Sequence, residues 1–252
     1  MRVAKSIFIL LMVMLFLAGL SVVSYPLIQG IVAENNMAEE TQLFLKNDSP
    51  PSSTIASSDV DVPPQETEFI PTQYPELWYV MSEYNEKIWD EKQTGLSDPW
   101  AYTQPAFSLA GYGLDSEVFG VISIPKLDLE MPLYLGATNQ HMAKGAAQLS
   151  QTSIPIGGIN TNSVIAGHRG YGGAAYFRYI TELEPGDEVQ ITTLWGVNYY
   201  SVSHTKIIAP NDIEEILIQE GKDMITLLTC HPYASGGRQR YLVFCERSDK
   251  KS

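Results

Sequence analysis

From about residue 119 onward the chain is cut into short apolar, β-prone runs, at 119–124, 129–134, 163–168, 188–193, 199–208, 224–230 and 240–246. Turn signals separate them: Gly157-Gly158, Gly172-Gly173, Pro185-Gly186-Asp187 and Gly236-Gly237. Short helical pieces fit near residues 140–144, 176–183 and 213–220, the last with Asn211 or Asp212 as its cap. Seven or eight short strands with few helices predict a mostly β domain over residues 118–247, a barrel or a sandwich. No internal repeat is visible.

The N-terminal part is built differently. Residues 7–25 are apolar except for Ser21 and Ser24. As a helix rising about 1.5 Å per residue, the run spans close to ~30 Å, the thickness of a bilayer core. Arg2 and Lys5 precede it and few cations follow closely, which puts residues 1–6 in the cytoplasm and the remainder outside. A cleaved signal peptide is the alternative. The run is long for that, and its only small-residue site, ending at Ala33, is weak. The expected layout is a single transmembrane anchor at 7–28 and a stalk at 29–74, acidic and then rich in Ser, Thr and Pro. A helical and lid region follows at 75–117, then the β domain and a polar tail at 248–252. The first helix of that region starts at Pro75 and Glu76 and runs to about Lys92. Leu77, Val80, Met81, Tyr84 and Ile88 are spaced for one apolar face.

The 252 residues carry a formal charge of −13, which argues against nucleic acid as a partner because a phosphate backbone would be repelled. There are two cysteines, Cys230 and Cys245. If Arg240 faces Cys230 across a strand pair, Cys245 lies five residues along, about 16 Å away and on the other face. A disulfide needs Cα atoms within about 7 Å, so Cys245 reads as a buried apolar filler.

Three reactive side chains stand at predicted strand ends. Cys230 closes Thr226-Leu227-Leu228-Thr229-Cys230, His168 sits in Ala166-Gly167-His168-Arg169-Gly170, and Arg240 opens the last apolar run. A thiol nucleophile, an imidazole proton shuttle and a cation for an oxyanion are what thiol acyl transfer requires. Each taken alone has a plain structural reading: a core cysteine, a loop histidine, a surface arginine. Metal binding by Cys230, His168 and His231 lacks the usual Cys-x-x-Cys or His-x-x-x-His spacing, and no metal or other cofactor is expected. A papain-like order, cysteine first and histidine late, is also absent.

These residues resemble the sortase family. The cysteine signature stands at Thr226, Leu227, Thr229 and Cys230, the histidine motif at 166–170 and the late arginine at Arg240, in the family's order. The similarity covers about residues 77–247 and includes Gly120-Val121-Ile122-Ser123-Ile124-Pro125-Lys126-Leu127. The resemblance implies a closed β-barrel of seven to eight strands. It implies a cysteine transpeptidase that cleaves a Leu-Pro-x-Thr-Gly-like sorting signal through a thioester on Cys230, with His168 as proton shuttle and Arg240 as oxyanion stabiliser. Within the family the chain looks most like the class C, pilin-polymerising enzymes, which carry a lid with an Asp-Pro-aromatic motif. Asp98-Pro99-Trp100 stands at that place. The partners so implied are pilins or surface proteins with a C-terminal sorting signal, and a pilin lysine as the accepting amine. A wall-anchoring sortase using a cell-wall precursor amine is the alternative, and a non-enzymatic surface-binding module a more remote one. Three departures stand out: no second, C-terminal span, an unusual 231–239 loop, and Arg238 as a rival two residues before Arg240.

Overall fold

The computed structural model of the chain describes residues 2–47, 71–96 and 107–248. Among these residues eight strands close into a barrel: β1 (Val118–Ile124), β2 (Leu129–Leu135), β3 (Ala146–Gln148), β4 (Thr161–Ala166), β5 (Glu188–Thr193), β6 (Gly196–Ile208), β7 (Asp223–His231) and β8 (Gln239–Arg247). Their order around the barrel is β1-β2-β3-β4-β7-β8-β6-β5, and β5 pairs back onto β1. Two pairings are parallel, β2 with β3 and β4 with β7; the others are antiparallel. This is the mostly β, closed-barrel architecture expected from the sequence.

The seven predicted runs all form strands. The eighth, β3, was not legible, because Ala146-Ala147-Gln148 is too short and too small-chained to show a period of two. The helix expected near 140 forms as α3 (Asn139–Lys144), with the Thr138 hydroxyl accepting from the His141 N–H at 3.1 Å. The other two expected helical pieces shrink to single 3₁₀ turns, Ile180–Glu182 and Glu214–Ile216, and neither has a side-chain cap. Tyr176 takes a left-handed backbone conformation and Leu217 an extended one, so helix cannot propagate through either position.

The apolar N-terminal run lies in one long helix, α1 (Arg2–Asn47), long and apolar enough to cross a membrane. The stretch expected to be stalk from residue 29 therefore begins as helix and stays so to Asn47. The physical reason is tertiary. Ala33, Met37, Thr41 and Phe44 recur every three or four residues and pack against the barrel core, with Phe44 only 2% exposed. Glu40 accepts a hydrogen bond from the Tyr134 hydroxyl. The Ser/Thr/Pro-rich part of the expected stalk lies outside the described residues.

A second helix, α2 (Pro75–Asp90), covers the barrel with Leu77, Met81, Asn85 and Ile88, ending two residues before the expected Lys92. Asn85 is buried and clamps the chain before β4: its Nδ2 donates to Ile154 O at 3.0 Å and its Oδ1 accepts from the Ile154 N–H at 2.7 Å. Trp78 meets Trp195 edge-on at 5.0 Å. Replacing Asn85 by Ala strands the Ile154 N–H, whereas the Ile154 carbonyl keeps the Ile156 N–H at 2.8 Å, and is expected to cost about 1–3 kcal/mol. The measurement is thermal melting followed by tryptophan fluorescence, with a fall of several degrees expected; an unchanged melting temperature would remove the clamp from the account.

Candidate active site

Strands β4 and β7 run parallel and in register, with Ala166 opposite Leu228. Their C-terminal ends therefore reach the same rim of the barrel. Side chains alternate along a strand, so two residues beyond that pair His168 and Cys230 leave on one side. Strand β8 returns antiparallel from the same rim, and Arg240 is the direct cross-strand partner of Cys230. Directly opposed residues share a face of the sheet. His168, Cys230 and Arg240 line one pocket, closed below by Met142, Leu149 and Leu228. Arg238, the rival cation, is exposed and does not line the pocket.

Strand β4 ends at Ala166, so His168 belongs to the loop that follows and not to the strand end. What holds that loop is hydrogen bonding to β7. The Gly167 N–H donates to Leu228 O at 3.0 Å, and the Thr229 hydroxyl donates to Gly167 O at 2.8 Å. One residue before the thiol is thus tied to one residue before the imidazole. Gly167 has no room for a side chain: a Cβ there would sit 2.5 Å from the Phe177 ring. Thr226 is buried and donates to Asn162 Oδ1 at 2.9 Å, while the Asn162 amide reaches Ile216 O at 3.0 Å. The threonines of the cysteine motif are therefore fasteners of the strand that presents the thiol.

The imidazole of His168 stacks on Tyr171 at 4.6 Å and meets the edge of Tyr176 at 5.9 Å. Burial among these rings disfavours the charged form and lowers its pKa below 6.5. Cys230 is half-buried at the rim, and Cys245 is a free, fully buried thiol whose pKa burial pushes far up. The two cysteines are not bridged.

The Arg240 guanidinium donates from Nη1 to Gly237 O at 2.6 Å and to Gln239 O at 3.2 Å. Gly237 has φ +77°, and a Cβ on it would lie 3.1 Å from Arg240 Nη1 and 3.4 Å from Cys230 Sγ. Its bare backbone lies against both groups. In the sequence Gly237 was visible only as part of a turn signal. Arg169 was visible only as a motif letter; it donates from Nη1 to Cys230 O at 3.4 Å and to His231 Nδ1 at 2.7 Å. The expected lid residues, Asp98 and Trp100, lie outside the described residues.

A half-exposed thiol, a neutral imidazole and a guanidinium on one rim can support attack of sulfur on a carbonyl, proton shuttling and oxyanion stabilisation. The family model for the sortase domain matches residues 122–248, about half of the chain. The chain belongs to the sortase family. Sortases are cysteine transpeptidases. Sortase D of Bacillus subtilis (strain 168) is 30% identical over 130 residues, which cover 51% of this chain and 63% of that protein's length. The crystal structure of Streptococcus agalactiae sortase C1 superposes with a TM-score of 0.65 at 30% identity, covering 71% of this chain and 91% of that one. That sortase has also been solved as a lid mutant. The pilus-related sortase C of Group B Streptococcus gives a TM-score of 0.58 at 28% identity, with 69% and 92% covered. These structural neighbours are class C sortases.

The burial of His168 sets the sign of a pH effect. Because its folded pKa lies below 6.5, the unfolded chain takes up a proton there first as pH falls. Stability contributed by the neutral ring is present above that range and is lost on acidification through it. An NMR titration of the His168 ring is expected to give a midpoint below 6.5, the value it starts from in an exposed position. A midpoint above that would show a charged partner overriding burial.

Proposed function

We propose that this sortase is a membrane-anchored transpeptidase that cleaves a Leu-Pro-x-Thr-Gly-like signal between Thr and Gly and passes the acyl group to an amine, a pilin lysine. The single observation that carries the chemistry is the rim geometry: Cys230 opposite Arg240 in β7–β8, with His168 two residues past the register partner of Leu228. A thiol is mostly protonated at neutral pH and needs a base. His168, held neutral by burial, accepts the Cys230 proton as sulfur attacks the threonine carbonyl carbon. The C–S bond forms, the carbonyl π pair moves to oxygen, and the Arg240 guanidinium stabilises that charge. Collapse breaks the C–N bond, and the imidazolium gives its proton to the departing glycine amine. The incoming amine then attacks the thioester, His168 takes its proton, and the thiolate leaves.

The anchor is the apolar part of α1, residues 7–28, with the barrel outside the cytoplasm. The pilin reading draws support from the class C structural neighbours, one of them described as pilus-related. A wall-anchoring role draws support from the sequence relatives, which include sortases A and D. Asp98 and Trp100 would act as a lid, in keeping with the lid known in sortase C1.

The test is intact-protein mass spectrometry of the full chain in detergent with sorting-signal peptides. Wild type is expected to form an acyl adduct, Cys230→Ala none, and Arg240→Ala one formed about 10²–10³-fold more slowly. Adduct on Cys230→Ala would place the nucleophile elsewhere. Supplying a lysine-bearing pilin peptide or a wall-precursor peptide amine then separates the two roles by which one resolves the adduct. In the Asp98→Ala/Trp100→Ala variant the adduct is expected to form faster than in wild type; an equal rate would dismiss the lid.

A further inference from the structure

Beside the pocket, Arg169 ties the loop after β4 to the end of β7, and Arg178 reaches Tyr233 in the β7–β8 loop. Among the described residues neither forms an ion pair. Arg169 binds Cys230 O and His231 Nδ1 through Nη1. A guanidinium only donates, so that imidazole nitrogen is the acceptor and His231 is neutral. Arg178 lies over the Tyr233 ring, with Cζ 5.2 Å from its centroid. Its fork occupies the space that a side chain at Gly170 would fill, since a Cβ there would be 2.6 Å from Nη2. The Nε of each arginine is buried and has no hydrogen-bond partner.

Several other cations do find acids among the described residues. Lys126 holds Glu184 and Asp187, Lys206 holds Glu215, Lys222 holds Glu246, and Arg247 meets Asp223. With a net charge of −13, carboxylates are plentiful. Among the described residues these two half-buried guanidinium groups have no carboxylate partner, and guanidinium N–H donors suit a tetrahedral oxyanion.

The loop that carries the two arginines also has a defined depth. Gly173 of the same loop packs on α1 at Gly30: a Cβ on Gly30 would lie 2.6 Å from the Gly173 carbonyl carbon. The Ala175 N–H donates to Glu34 Oε1 at 3.3 Å. Gly30 is about half a turn past residue 28, and the headgroup layer extends some ~5–7 Å beyond the hydrocarbon. We propose that Arg169 and Arg178, with Tyr233 as a platform, form a binding site for a phosphate held at the membrane surface. The phosphate belongs either to an anionic lipid headgroup or to a lipid-linked amine substrate; both present the same oxyanion. The depth rests on the anchoring proposed above, whereas the anion site rests on the barrel alone and is read without any transpeptidation.

The test is calorimetric titration of inorganic pyrophosphate into the full chain in phosphatidylcholine nanodiscs. Saturable binding is expected for wild type, weakened about tenfold or more by Arg178→Gln and by Arg169→Gln. Tyr233→Ala, at an exposed position, is expected to weaken binding several-fold without touching the core. No saturable binding to wild type, or equal affinity in wild type and Tyr233→Ala together with the glutamine variants, overturns the site. In phosphatidylglycerol nanodiscs the difference between wild type and Arg178→Gln vanishes if headgroups fill the site. It persists if the site is kept for the phosphate of a substrate.

Discussion

The parallel pairing of β4 with β7 is the contact on which the rest of the site depends. In an antiparallel pair the residues that follow Ala166 and Leu228 would leave from opposite ends of the barrel. Parallel alignment sends both chains to one rim, and the antiparallel return of β8 brings Arg240 there as well. Parallel strands cannot be joined by a tight hairpin and need a long crossover. Between β4 and β7 the chain fills that crossover with β5 and β6, which close the barrel against β1. The same circuit that removes the free sheet edges therefore assembles the reactive rim.

The two cysteines show how much the position on that circuit matters. Cys245 and Cys230 have the same side chain, yet Cys245 is sealed inside the barrel between strands and its thiolate is strongly disfavoured. Cys230 stands at the rim, beside a guanidinium and a buried imidazole. Around it the structure uses bare backbone where space is short. Gly167 admits the Phe177 ring and Gly237 lies against both sulfur and guanidinium. The buried hydroxyls of Thr226 and Thr229 are all satisfied by hydrogen bonds, which lets a polar motif run through an apolar core.

Helix α1 joins this rim to the N-terminal apolar segment. Its last turns are packed by Met37 and Phe44, and its Gly30 touches the loop that carries His168 at the other end. The orientation of the barrel relative to the apolar segment is thus set by packing and by the Glu40 and Glu34 hydrogen bonds, not by a free tether at that point.

Seven strands, the helix at Pro75 and the apolar N-terminal segment were legible in the sequence because each carries a local signal: a period, a turn residue or an unbroken apolar run. The order of His168, Cys230 and Arg240 was legible for the same reason, as strand-end residues beside glycines. Three things had no local signal. The short β3 has no period to read. The helical course of residues 29–47 depends on a surface that only the folded barrel supplies. The roles of Gly237, Arg169 and Arg178 arise between loops far apart in the chain. Local chemistry by itself determined which residues can make strands and which can react; closure of the barrel, through long-range hydrogen bonding, decided which of them meet.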